Sequence, residues 1–138
     1  MFFEISSYGI YDNWDEKSKS LPKIKNLTTY IPTQLEIEFG FILSAKKAKG
    51  KRLEWTIFHP DVPDDNGHIM PPFEGTVYVR NNDWAFYLGD TIWAPINNKV
   101  GDWRMVIGCD ENIIAEKTFS LFLEHEDGET QFWKKRGY

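Results

Sequence analysis

A chain of 138 residues fits one domain and is long enough to bury a core without disulfides or a structural metal. Its 41% hydrophobic and 16% aromatic content excludes a disordered chain and leans toward strands. A formal net charge of -5 argues against duplex nucleic acid or an anionic membrane as the main partner, because phosphate binding needs a concentrated positive field. Cys109 is the single cysteine, so no intramolecular disulfide can form, which suits a reducing compartment. The N-terminus has no signal-peptide pattern, and no run approaches the roughly 20 apolar residues that span a bilayer. The expectation is a soluble, cytoplasmic protein.

Residues 2 to 11 alternate as a first strand, with Phe3, Ile5 and Gly9 on one face, Phe2, Tyr8 and Ile10 on the other, and aromatics on both. The polar run DNWDEKSKSLPKIKN reads as a loop, with Trp14 covering one end of the domain. Pro32 cannot donate to a ladder and marks a break or an edge. Leu35, Ile37, Phe39, Phe41 and Leu43 then form an apolar strand face, leaving Glu36 and Glu38 on the solvent side. KKAKGKR, with five positive charges around Gly50, reads as an exposed hairpin tip. The strand carrying Leu53, Trp55, Ile57 and His59 is then the partner of the one before it.

The stretch PDVPDDNGHIMPPFEG, residues 60 to 75, is too rich in Pro, Asp and Gly for regular structure, and loops of that length are functional or mobile. A short strand over 76–80, a turn at 81–83, a strand or helical turn over 84–88 and a turn cluster at 95–98 follow. In GDWRMVIGCDENIIAEKTFSLFL, residues 101 to 123, period-2 patterning on both sides of an Asp/Asn-containing turn predicts a closing hairpin. Its core face carries Trp103, Met105, Ile107 and Cys109 on one strand and Ile113, Ala115, Phe119 and Leu121 on the other.

Seven to nine short strands with turn signals between them predict an all-β protein, a single antiparallel β-sandwich of immunoglobulin-like type, over residues 1–123. A charged tail, 124–138, is expected to be either docked, its Phe132 and Trp133 packing onto the domain or onto another copy, or partly disordered. YGIY near the start, the IPTQLEIEFGF strand, a strand leading into HP, and the GDWRMVIGCDENIIAEKTFSL hairpin together resemble a small bacterial family of uncharacterised single-domain proteins, a domain of unknown function. G-x-W followed by an apolar strand, a polar turn and K-x-F-x-L is also similar to the last hairpin of immunoglobulin-like and fibronectin-like modules. Both resemblances imply a fold; neither implies an activity or a catalytic residue.

Chemistry has one candidate cluster, HPDVPDDNGH, where His59, Asp61, Asp64, Asp65 and His68 offer metal-ligand types within one loop. The spacing fits neither an EF-hand nor a His-x-Glu-x-x-His zinc site, and an ordinary Asp-Pro-Gly turn is the favoured reading. Cys109 falls on an inward face, where a thiol is an inert small hydrophobe. No nucleophile elbow, phosphate loop or dinucleotide fingerprint occurs, so no cofactor is implied. Trp14, Trp84 and Trp93 lie near loops and ends, where exposed rings stack on sugars or on a partner protein. The expected function is a non-enzymatic binding or protein-interaction module, homodimeric through an edge strand or the tail. The alternatives are a carbohydrate-binding module using those three tryptophans and a metal-dependent enzyme at residues 59–68.

Overall fold

The computed structural model describes residues 1–13 and 20–123; Trp14 and the 124–138 tail lie outside them. Among the described residues nine strands are arranged in two sheets: β1 (Phe2–Tyr11), β2 (Ile24–Asn26), β3 (Tyr30–Pro32), β4 (Glu38–Lys46), β5 (Arg52–Phe58), β6 (Phe73–Tyr78), β7 (Asp83–Thr91), β8 (Gly101–Cys109) and β9 (Asn112–Phe122). A four-stranded sheet runs β2-β1-β4-β7 and a five-stranded sheet runs β3-β9-β8-β5-β6. The expected all-β sandwich is therefore the observed fold. All pairings are antiparallel except β3 with β9, which is parallel, with Pro32 on this edge strand where its missing N–H costs nothing.

Chain connectivity differs from the expected series of hairpins. β4 and β5 lie in different sheets, so the basic segment between them is a crossover and not a hairpin tip. It docks on the β6–β7 connection, where Lys47 N–H donates to Asn82 O at 2.8 Å and Gly50 N–H to Val79 O at 2.8 Å. β5 pairs instead with β6 and β8. Residues 84–88 are strand, not a helical turn, and β6 begins at Phe73 rather than Thr76. The turn cluster after Pro95 is a 3₁₀ turn, Ile96–Lys99, and β2 forms inside the segment read as loop.

Two one-residue bulges explain where simple alternation misplaces side chains. In β1 the register against β4 slips between Ile5 and Ser7, so Phe3 and Ile5 before the bulge share the inner face with Tyr8 and Ile10 after it. In the closing hairpin the slip falls at Ile114, between the pairs Ile107–Ala115 and Gly108–Ile113. Ile113 is thereby turned outward and is 57% exposed, while Ala115, Phe119 and Leu121 remain in the core. The turn itself holds Asp110 and Glu111, both at positive φ, the conformation that lets two residues close a twisted hairpin. Leu35 is likewise 57% exposed, because Glu36 adopts φ 69° and a turn precedes β4.

The core is an aromatic layer between the sheets. Phe39 of β4 meets Trp103 of β8 and Phe119 of β9 edge-on, each with ring centroids 5.6 Å apart, surrounded by Phe41, Leu43, Leu53, Met105 and Ile107. Cys109 is buried on the same face, as expected, and burial raises its thiol pKa. Trp103→Ala should lower the free energy of unfolding by about 3–5 kcal/mol, read from urea denaturation, as a large-to-small change at a fully packed position.

The outer face of the four-stranded sheet carries a feature that alternation alone does not announce. Gly9, Gly40 and Gly89 stand in register across β1, β4 and β7. A Cβ on Gly9 would lie 1.9 Å from Asn26 O, one on Gly40 would lie 2.1 Å from Leu88 O, and one on Gly89 would lie 2.1 Å from Tyr87 Oη. The row is thus a trough for backbone and for one tyrosine side chain. Gly40→Ala meets backbone rather than a movable side chain, and should lower the unfolding free energy by about 1–3 kcal/mol in the same denaturation assay.

Candidate functional site

Ionisable groups gather at the end of the sandwich where β5 stops, β6 and β8 start, and β7 runs into the 3₁₀ turn. His59 follows β5 and packs between Phe73 and Trp103, with centroids 4.6 and 5.7 Å away. Its Nδ1 lies 2.6 Å from Pro60 O and its Nε2 lies 2.9 Å from Pro71 O. Carbonyls only accept, so a neutral ring can donate to one of them and the imidazolium to both. Either way the ring bridges the two ends of the 60–71 loop.

Lys99, in the 3₁₀ turn, is buried, an uncommon state for a lysine. Its ammonium donates to Pro95 O at 2.9 Å and to Asn98 Oδ1 at 2.6 Å, and stands 4.3 Å from the centroid of the Trp93 ring. Burial lowers its pKa, partly opposed by the charge of Asp90. The Lys99 carbonyl accepts Trp103 Nε1–H at 2.8 Å, tying the 3₁₀ turn to the core. Trp93 closes the group: it contacts Trp103 edge-on at 6.3 Å and Phe73 at 6.4 Å, and remains 36% exposed.

Asp90 ends the inner face of β7, in register with Phe39. Burial, with a further push from Glu38, raises its carboxyl pKa to about 6, against the Thr91 N–H, His59 and Lys99, which favour the charge. Behind it, on the outer face, Glu38 is only 4% exposed. This overturns the expectation that Glu38 projects to solvent: Tyr87 Oη donates to it at 2.5 Å and Thr91 Oγ1 donates to its other oxygen. Tyr11 packs edge-on against Tyr87 at 5.0 Å, and both tyrosines are buried with their pKa values raised.

The sequence-derived candidates are only partly brought together. Asp64 Oδ1 accepts the backbone N–H groups of Asn66 and His68, at 2.8 and 3.0 Å, and so caps its own turn. The Pro63–Ile69 bridge and the Met70 N–H to Val62 O bond complete a small hairpin-like loop. His59 faces inward to aromatic rings while Asp64 is turned onto its own loop. Asp61, Asp65 and His68 do not join them: among the described residues no three His, Cys, Asp or Glu side chains converge to hold a metal ion. Trp84 and Trp93 flank the two ends of β7, about 20 Å or more apart at strand rise, so they form no joint strip. Trp84 stacks instead on Phe86, with centroids 5.8 Å apart and planes 7° from parallel.

Asp90 and Lys99 were not foreseen as site residues. Asp90 has a sequence signal, since Trp84, Phe86, Leu88 and Asp90 share one parity and the first three are apolar. Lys99 has none, because its burial depends on a turn that only tertiary packing closes.

This architecture, two packed sheets in a 4+5 arrangement, defines an immunoglobulin-like β-sandwich. The chain belongs to the family described as a domain of unknown function, DUF3859, which matches residues 1–121. Its fold is similar to that of an immunoglobulin-like protein from Pseudomonas aeruginosa, with a TM-score of 0.68 and 21% identity, covering 88% of this chain and 98% of that one. A looser likeness, with a TM-score of 0.39 and 14% identity, links 67% of this chain to 27% of the Pseudomonas fluorescens alkylpurine DNA glycosylase AlkC. No curated protein matches. Among the described residues no helix is long and apolar enough to cross a membrane.

Asp90 supplies a pH test of this site. The unfolded chain releases its proton near 3.8 and the folded chain near 6, so between these values the folded state holds more protons. Stability therefore falls as pH rises through that window and levels off above it. Asp90→Asn should be more stable than the wild type by about 3 kcal/mol at about pH 8, with the difference fading towards zero below about pH 4, in urea titrations at each pH.

Proposed function

We propose that the protein is a non-enzymatic binding module whose ligand meets the sandwich end around Trp93. One observation carries this reading: two groups there that do acid–base chemistry elsewhere, Lys99 and His59, are engaged inside the protein. The Lys99 ammonium is held by Pro95 O and Asn98, and the His59 ring lies between two carbonyls. What faces outward is the Trp93 indole, backed by Phe73 and by the Lys99 charge. A rigid aromatic ring next to polar groups is the type of residue that dominates protein interfaces.

The test is comparative capture from lysate of the native host, with the wild-type chain and Trp93→Ala as baits, both checked for equal melting. A protein enriched by the wild type and lost with Trp93→Ala supports the module. Depletion by insoluble polysaccharides forms a second arm, and retention there that Trp93→Ala abolishes assigns the surface to sugars. Equal capture by both baits, or hydrolysis of model esters that Asp90→Asn removes, would overturn the reading.

A further inference from the structure

The two flanks of the sandwich are treated differently. On one flank the edges are β2 and β3, each of three residues, with Pro32 in β3 and a bulge in the adjoining β1. The gap between the sheets is spanned there by Lys117, whose ammonium sits 3.9 Å from the Tyr8 ring centroid. Short edge strands, proline, bulges and inward-pointing charges are the devices that stop a sheet from pairing with another chain.

On the other flank β7 is long and has neither proline nor bulge, and its one inward-facing charge, Asp90, lies near its end. This strand pairs with β4 through nine consecutive residues and holds no lysine; among the described residues no strand pairs with its other side. Beside it, on the inner face, Trp84 and Phe86 are only half-buried, and Trp55 and Val77 of the facing sheet are in the same state. β6, the other edge on this flank, is shorter and is entered through Pro71 and Pro72.

The order of residues in β7 selects the partner. Taken outward from Tyr87, the strand reads Phe86 and Leu88, then Ala85 and Gly89, then Trp84 and Asp90, then Asp83 and Thr91. Antiparallel pairing with the same strand about a two-fold axis at Tyr87 places Phe86 opposite Leu88 and small Ala85 opposite small Gly89. It places neither aspartate opposite an aspartate. A two-fold contact of this kind is isologous and closes after two copies.

We infer that β7 is a pairing edge whose occupant is β7 of a second copy of this chain, joining two four-stranded sheets into one of eight strands. Backbone bonds along the edge hold the two copies, and the Trp84 and Phe86 rings of each cover the other's flank. The interface is separate from the Trp93 surface and does not depend on it.

Sedimentation equilibrium of the full chain from micromolar to millimolar concentration tests this. The expected result is a mass rising from 16.2 kDa to twice that value, with hydrogen exchange of the β7 amides slowing as the dimer forms. Phe86→Lys, which replaces a covering ring by a charge on both sides of the axis, should stay monomeric with an unchanged far-UV circular dichroism spectrum. Should that variant misfold, the wild-type exchange data decide alone. A protomer mass throughout, with β7 exchange independent of concentration, overturns the inference. So does a dimer whose β7 amides exchange at the monomer's rate.

Discussion

Trp103 is the contact on which the rest of the molecule depends. Its ring meets Phe39 of the opposite sheet edge-on, its indole N–H is received by the Lys99 carbonyl, and its remaining edges touch Trp93 and His59. One side chain thus fixes the spacing of the two sheets and the closure of the sandwich end. A buried indole needs an acceptor for its N–H, and here the acceptor belongs to the residue whose ammonium group stands under Trp93. Core packing and the electrostatics of the end are therefore one arrangement seen from two sides.

The same economy of polar groups runs through the four-stranded sheet. Glu38 and Asp90 lie close together but on opposite faces of it, one receiving two hydroxyl donors and the other left with a backbone N–H and more distant cations. Their mutual repulsion helps hold Asp90 high, and the hydroxyl donors from Tyr87 and Thr91 let Glu38 remain where water does not reach it. A carboxylate buried on the outside of a sheet is possible here because two tyrosines cover it. Tyr87 lies flat because Gly89 offers no side chain to lift it.

Much of the fold was legible in the sequence because β8 and β4 keep strict alternation, with Trp103, Met105, Ile107, Phe39 and Phe41 all facing the core. What period-2 reading could not supply was the one-residue slips at Ser6 and Ile114, which change parity without any compositional mark. Strand partnership was also hidden: a crossover and a hairpin tip draw on the same turn residues, so the segment around Gly50 reads alike in both. At the sandwich end, Trp93 and His59 stood out by residue type. Lys99 and Glu38 did not, since a lysine and a glutamate are read as solvent-facing until a fold encloses them.

The glycine row has a consequence for how relatives of this protein can vary. Gly9, Gly40 and Gly89 are separated by 31 and 49 residues in the chain yet stand in one row, Gly9 and Gly40 leaving room for backbone of another strand and Gly89 for the Tyr87 ring of its own. Change at any one of them moves backbone or Tyr87, and Tyr87 in turn holds Glu38. Gly89 and the Tyr87–Glu38 pair should therefore drift together or not at all. Relatives that substitute Gly89 should also have lost the buried carboxylate, leaving a sandwich with the same core and a different outer face.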